Sequence, residues 1–132
     1  MLELDQVCKT FNPGTVNEKT ALDHLTLRLE AGDFATVIGG NGAGKSTMLN
    51  AIAGVWLIDE GSIRIDGADV TELSEHRRAL HLGRVFQDPM VGTAGDMTIE
   101  ENLALAARRG ERRTLPWGIK KGAPDKFREV LK

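Results

Sequence analysis

The stretch "VIGGNGAGKST", Val37–Thr47, decides how this chain is read. Gly39, Gly40, Asn41, Gly42, Ala43, Gly44, Lys45 and Ser46 satisfy G-x-x-x-x-G-K-[ST], and Thr47 follows them. Upstream, "FATVIG" is a continuous apolar run that reads as a fully buried strand. Downstream, "KSTMLNAIAGV" spaces Met48, Leu49, Ile52 and Ala53 as a helix, and Gly54 stands where that helix should stop. A glycine loop between a buried strand and a helix is the context in which this pattern cradles phosphate. The glycines reach backbone conformations closed to other residues. Successive N–H groups can then point at phosphate oxygens, and the helix N-terminus adds its partial positive charge. Lys45 is placed to reach β- and γ-phosphates, and the Ser46 hydroxyl to ligate Mg²⁺.

Outward from the loop, the sequence alternates between strand patterns and turn signals. "LELDQV" (Leu2–Val7) alternates as a strand, and Asn12-Pro13-Gly14 breaks the chain after Phe11. "HLTLRLE" puts Leu25, Leu27 and Leu29 on one strand face, and Ala31-Gly32-Asp33 is a turn. After the loop helix, "GSIRIDG" (Gly61–Gly67) is a short strand, "SEHRRAL" a short helix capped by Ser74, and "GRVFQ" a further strand. Thr98 and Glu101 form a capping box ahead of "IEENLALAARR", a helix. "GERRTLPWGIKKGAP" reads as a loop, and "DKFREVLK" begins a helix with no closing cap, which suggests a truncated longer domain.

With 41% hydrophobic and 27% charged residues, the 132-residue chain has the composition of a soluble globular domain, or of a piece of a larger one. The net charge of −2 is unevenly spread. Met1–Ala107 carries 8 basic and 16 acidic residues, and Arg108–Lys132 carries 9 basic and 3 acidic. A basic end suits an anionic surface or simply a solvated face. It lacks the interleaved aromatics of single-strand binders, and no nucleic-acid partner is expected. The single Cys8 rules out an internal disulfide and is expected in a strand packed in the core. "MLELDQV" has neither the basic nor the apolar region of a signal peptide, and no apolar run approaches the roughly 20 residues of a spanning helix.

Five features occur in order: Phe11 ahead of the loop, the loop itself, "DEGSIRIDG" after its helix, then "GRVFQDP" followed by "MTIEENLALA". Together they resemble the ATP-binding subunit of ABC transporters, and the resemblance spans the whole chain. It implies an α/β fold: a P-loop NTPase core with an antiparallel β subdomain, truncated before the signature motif and the second acidic strand. Residues 1–96 would form the β subdomain and P-loop core, and residues 97–132 the start of a helical subdomain. The resemblance makes Phe11 the aromatic that stacks on adenine, at a position more often Tyr. Val16 becomes an apolar contact to base or ribose, and Gly39–Thr47 the phosphate loop. Gln87 becomes the Q-loop glutamine, so Ser46 and Gln87 would hold Mg²⁺. The implied cofactors are ATP and Mg²⁺. The implied partners are a second ATPase subunit and transmembrane permease subunits, with the chain in the cytoplasm, peripheral on the inner face of the membrane. An importer is favoured, since exporter ATPases are usually fused to their membrane helices and this chain starts at Met1 on its first strand. The alternatives are a non-transport ABC ATPase of DNA repair or translation, and a non-catalytic nucleotide-binding fragment.

The family also requires an LSGGQ-like signature, an hhhhDE strand and a switch histidine. No LSGGQ-like run occurs in the 132 residues. "VWLIDEG" (Val55–Gly61) imitates hhhhDE, but it comes straight off the loop helix. That helix carries the chain about 15 Å from the phosphates at 1.5 Å per residue. Asp59 and Glu60 therefore read as the turn into a hairpin, and no catalytic residue is assigned. His24, His76 and His81 precede any position a switch histidine would take, and no metal site with Cys8 is expected. The expected activity is ATP·Mg binding with turnover at or near background.

Overall fold

The computed structural model describes residues 1–109 and 127–129. These pack as two compact units, Met1–Leu82 and Gly83–Lys132. Packing thus divides the chain after Leu82, whereas the motif-based division at residues 96 and 97 follows function.

The first unit is built on an antiparallel sheet in the order β2-β1-β3-β4, with β1 Leu2–Phe11, β2 Lys19–Leu29, β3 Glu60–Ile65 and β4 Ala68–Asp69. The leucines that alternate in sequence meet in register: Leu4 faces Leu27 across β1–β2 and Ile63 across β1–β3. Leu4, Val7, Ile63 and Val70 are fully buried, and Met48 and Ala51 of helix α1 (Lys45–Ala53) join their cluster. Each such aliphatic side chain contributes about 1.5–3 kcal/mol by leaving water. The β3–β4 hairpin turns on Asp66-Gly67, both at positive φ (49° and 79°), as a two-residue type I′ turn demands.

Helix α1 ends at Gly54 as expected, and the structure supplies two reasons for a glycine there. Its φ is 81°, in the left-handed region. A Cβ would also lie 2.8 Å from Nε of Arg78. Arg78 closes the four-residue helix α2 (Glu75–Arg78) and is fully buried. Its Nη1 donates to the carbonyls of Ala51 (2.5 Å) and Ile52 (3.1 Å), its Nε to Leu73 O (2.8 Å) and its Nη2 to Thr71 O (2.8 Å). Burial pulls its pKa down, opposed by the charges of Glu72 and Asp69. Ser74 stands at the N-cap of α2 as expected, but its hydroxyl pairs with Nδ1 of His76 (3.0 Å) instead of capping the helix backbone.

Two expected strands do not form. "FATVIG" is not a strand, and Phe34 and Ile38 are 94% and 89% exposed. A buried parallel strand exists only with neighbours on its edges and helices on its faces, and no described residue pairs with this segment. In the second unit "GRVFQ" behaves likewise, with Val85 98% exposed. Cys8 is also not in the core: it lies half-buried on β1 with a free thiol.

The second unit contains a 3₁₀ turn, Pro89–Gly92, and helix α3, Ile99–Ala107. The capping box forms as expected: Glu101 N–H donates to Thr98 Oγ1 (3.3 Å) and Thr98 N–H to Glu101 Oε2 (2.8 Å). Residues 127–129 are helical, within the expected "DKFREVLK" helix. The basic loop, beyond Arg109, lies outside the described residues.

Candidate functional site

In the first unit a cleft of about 280 Å³ is lined by Phe11, Lys19, Ala21 and the continuous run Asn41–Thr47. The chain folds this way locally because β2 starts beneath the loop. A Cβ on Gly44 (φ 81°) would strike the carbonyl oxygen of Ala21, so only glycine lets loop and strand approach so closely. Gly44 is the N-cap of α1, and no side chain caps it. The N–H groups of the first turn are therefore left for another acceptor.

Lys45 is half-buried, and its Nζ donates to the carbonyls of Gly39 (2.5 Å) and Gly40 (2.7 Å). The ammonium is thus held on the loop's own carbonyl oxygens. Ser46 is exposed, with its hydroxyl accessible to a cation, while Thr47 is buried beneath the loop.

Phe11, the last residue of β1, reaches the cleft wall. Its ring meets Trp56 edge-on, with centroids 4.9 Å apart and an interplanar angle of 79°, and Lys9 Nζ stands 5.8 Å from its centroid. Such a T-shaped contact fixes the orientation of the ring at the cleft wall. Trp56 and Lys19 went unassigned in the sequence. The signal for Trp56 was present, an aromatic just past the helix stop. Nothing in the sequence marks Lys19, whose Nζ lies only 3.4 Å from where a Cβ on Gly42 would sit.

Val16 lies in the β1–β2 loop, outside the cleft lining and fully exposed. Gln87 belongs to the second unit, exposed between two anchors: the Arg84 guanidinium stacks 4.5 Å from the Phe86 ring, and Asp88 Oδ1 accepts the Met90 N–H (2.9 Å).

Asp59 immediately precedes β3 and Glu60 opens it, as the hairpin reading requires. Asp59 pairs with Lys9 Nζ (2.7 Å) and accepts the Thr10 N–H (2.6 Å). These bonds, the Lys9 one foremost, hold its carboxyl below the usual value. A lowered folded pKa contributes stability that is fully present above the unfolded value and is lost as pH falls through the folded one. Asp59→Asn is therefore expected to flatten the fall in thermal midpoint below about pH 4, as followed by circular dichroism. An unchanged acid limb would overturn this assignment.

The family model described as ABC transporter matches residues 22–131. The chain is 40% identical over 111 residues to a tyrosine transport ATP-binding protein of Clostridioides difficile, a match covering 84% of this chain and 44% of that protein. It is 31% identical over 135 residues to the bacitracin export ATP-binding protein BceA of Halalkalibacterium halodurans, covering 98% of this chain and 49% of that one. Among solved structures, the dimeric post-hydrolysis state of an ATP-binding cassette bound to ADP and Pi superposes with a TM-score of 0.74 at 27% identity, over 99% of this chain and 55% of that one. The chain belongs to the ABC transporter family, and its fold is that of the P-loop ATP-binding cassettes. It spans less than half the length of these two curated relatives.

Proposed function

We propose that these residues form the nucleotide-gripping part of an ABC transporter ATP-binding subunit, which couples ATP binding and hydrolysis to solute transport across a membrane. The observation that carries this reading is the Lys45 ammonium held by Gly39 and Gly40 beside an uncapped helix start and a Phe11 wall. That donor set suits a nucleoside triphosphate with its metal. The N–H groups of Gly39–Thr47 and Lys45 would hold ATP phosphates, Phe11 would stack on the base, and Val16 would flank it. Ser46 would ligate Mg²⁺, which supplies neutralising charge to the phosphates when bound, and Gln87 would serve as the Q-loop glutamine.

Residues 1–96 supply the β subdomain and phosphate core of this machine, and residues 97–132 begin its helical subdomain. A second ATPase subunit and a membrane permease complete it, with the chain at the cytoplasmic face of the membrane. No described helix is long and apolar enough to cross a membrane. The 132 residues carry neither an LSGGQ run nor a catalytic acidic strand. They bind ATP·Mg and turn it over at background. Steady-state phosphate release that Lys45→Ala abolishes would overturn that last statement.

Import is favoured, in keeping with similarity to the spermidine/putrescine import ATP-binding protein PotA of Bacteroides fragilis, 41% identical over 87 residues, 66% of this chain and 17% of that one. Export is the second reading, since the bacitracin export relative matches 98% of the chain. The direction of transport in vesicles carrying the subunit with its permease separates the two.

Lys19 supplies a second cation over the loop. Lys19→Ala is expected to weaken ATP binding about fivefold, of the order of 1 kcal/mol for an exposed charge pair, and to leave AMP binding unchanged. Fluorescence titration with labelled nucleotides checks both arms. An equal loss for AMP would place Lys19 away from the phosphates.

A further inference from the structure

Outside the cleft, three side chains of metal-ligand type converge from three strands of the sheet. Cys8 of β1, His24 of β2 and Glu60 of β3 offer a thiol sulfur, an imidazole nitrogen and a carboxylate oxygen, all within 4.8 Å of one another. We propose that Cys8, His24 and Glu60 form a binding site for a borderline divalent transition metal, Zn²⁺ foremost.

The backbone builds this cluster. Cys8 and Glu60 are direct register partners across β1–β3. On the other side, Val7 pairs with Leu25 and Lys9 with Leu22, so Asp23 and His24 together oppose Cys8 alone. That extra residue is a bulge, and His24 sits at its strained corner with φ 47°. A bulge of this kind re-aims a side chain; here the imidazole comes to the thiol, and the His24 N–H donates to Cys8 Sγ (3.3 Å).

The donor set is one sulfur, one nitrogen and one oxygen, the mix that Zn²⁺ accepts. Bonds of about 2.0–2.3 Å in a tetrahedron put ligand atoms roughly 3.4–3.7 Å apart. No pair of the three side chains therefore needs to close in by more than about 1–1.5 Å. His24 and Glu60 are exposed and free to do so by torsion. Asp23 Oδ1 lies 2.7 Å from His24 Nδ1. A carboxylate on one imidazole nitrogen orients the ring of a metal-binding histidine. Three protein ligands leave a fourth position for water.

A bound metal would cross-link β1, β2 and β3 at one point. The same β1 continues to Phe11 and the same β2 begins at Lys19, so the staple would hold both side walls of the cleft in register.

The test uses the reduced 132-residue chain with Co²⁺ as spectroscopic probe and Zn²⁺ in competition with a chromophoric chelator. The expected result is one equivalent of metal, a thiolate-to-cobalt charge-transfer band, and a raised thermal midpoint with Zn²⁺. Cys8→Ser should abolish the band, and His24→Gln and Glu60→Gln, both at exposed positions, should each weaken Zn²⁺ at least tenfold. The double variant His76→Gln, His81→Gln should bind like the parent. No band with the folded parent chain, or Zn²⁺ binding lost only in the His76/His81 variant, would overturn the proposal.

Discussion

Arg78→Ala is expected to lower the thermal midpoint of the first unit by more than 10 °C. The guanidinium has five N–H donors, and four of them go to backbone carbonyls: Ala51 and Ile52 at the end of α1, and Thr71 and Leu73 on the approach to α2. The last carbonyls of any helix lack intrahelical partners. Here a buried cation satisfies them and complements the negative end of the helix dipole. Removing it takes the Arg78 donor from the Ile52, Thr71 and Leu73 carbonyls, leaves Ala51 O with only the Gly54 N–H (3.2 Å), and opens a void. The cost is about 3–5 kcal/mol, against a typical total of about 5–15 kcal/mol. Arg78→Met restores volume but no donor, so it should rescue little, because the orphaned carbonyls belong to the backbone and cannot be mutated away. Arg78→Lys should recover part of the loss. A midpoint for Arg78→Met within 3 °C of the parent would show that the four bonds are worth little.

Lys45→Ala should weaken ATP binding about 30- to 150-fold. A charged hydrogen bond to phosphate contributes roughly 2–3 kcal/mol, and each 1.4 kcal/mol is tenfold. Two compensating effects are visible in the structure. The ammonium must leave the Gly39 and Gly40 carbonyls before it can bind phosphate, which reduces the loss. The variant also frees those carbonyls to face a polyanion, which increases it. Lys45→Arg keeps the charge but carries a larger, planar head into a loop whose Gly39 would hold a Cβ only 3.1 Å from the Ala43 Cβ. It should bind closer to Lys45→Ala than to the parent. Titration with a fluorescent ATP analogue, with circular dichroism to verify folding, measures all three. Equal affinities for parent and Lys45→Ala would remove the phosphate cradle from the proposed function.

The parts of this molecule that depend on neighbours in sequence were legible from sequence. Loop, helix start and Gly54 stop follow from spacing and from glycine chemistry, and the Thr98–Glu101 box from two residues a single turn apart. What depends on a second segment was not. "FATVIG" has every local property of a buried strand, yet a strand is a property of two segments, and its partner is not among the described residues. Arg78 sits in "EHRR", a charged run that reads as a solvated face. Only the fold, by bringing the end of α1 against it, makes it the most buried cation described. Lys19 appears in a polar, turn-rich stretch and gains its meaning when β2 starts under Gly44. The meeting of Cys8 and His24 was hidden for another reason. Strict alternation would assign their faces, but the positive φ of His24 breaks the alternation inside a stretch whose leucines otherwise keep period two.

The edge contact between Trp56 and Phe11 makes α1 a length standard for the cleft. The helix has nine residues, so at 1.5 Å each it is a rod of about 13.5 Å. Its first turn presents Lys45 and Ser46, while the chain leaving its last turn presents the indole on which the Phe11 ring rests. On the proposed reading, seats for the two ends of one nucleotide would be gauged from opposite ends of a single stiff element. One residue inserted into α1 would carry Trp56 about 1.5 Å further and rotate it by about 100°. The loop would be untouched, and the aromatic wall would no longer stand at the distance a nucleotide requires.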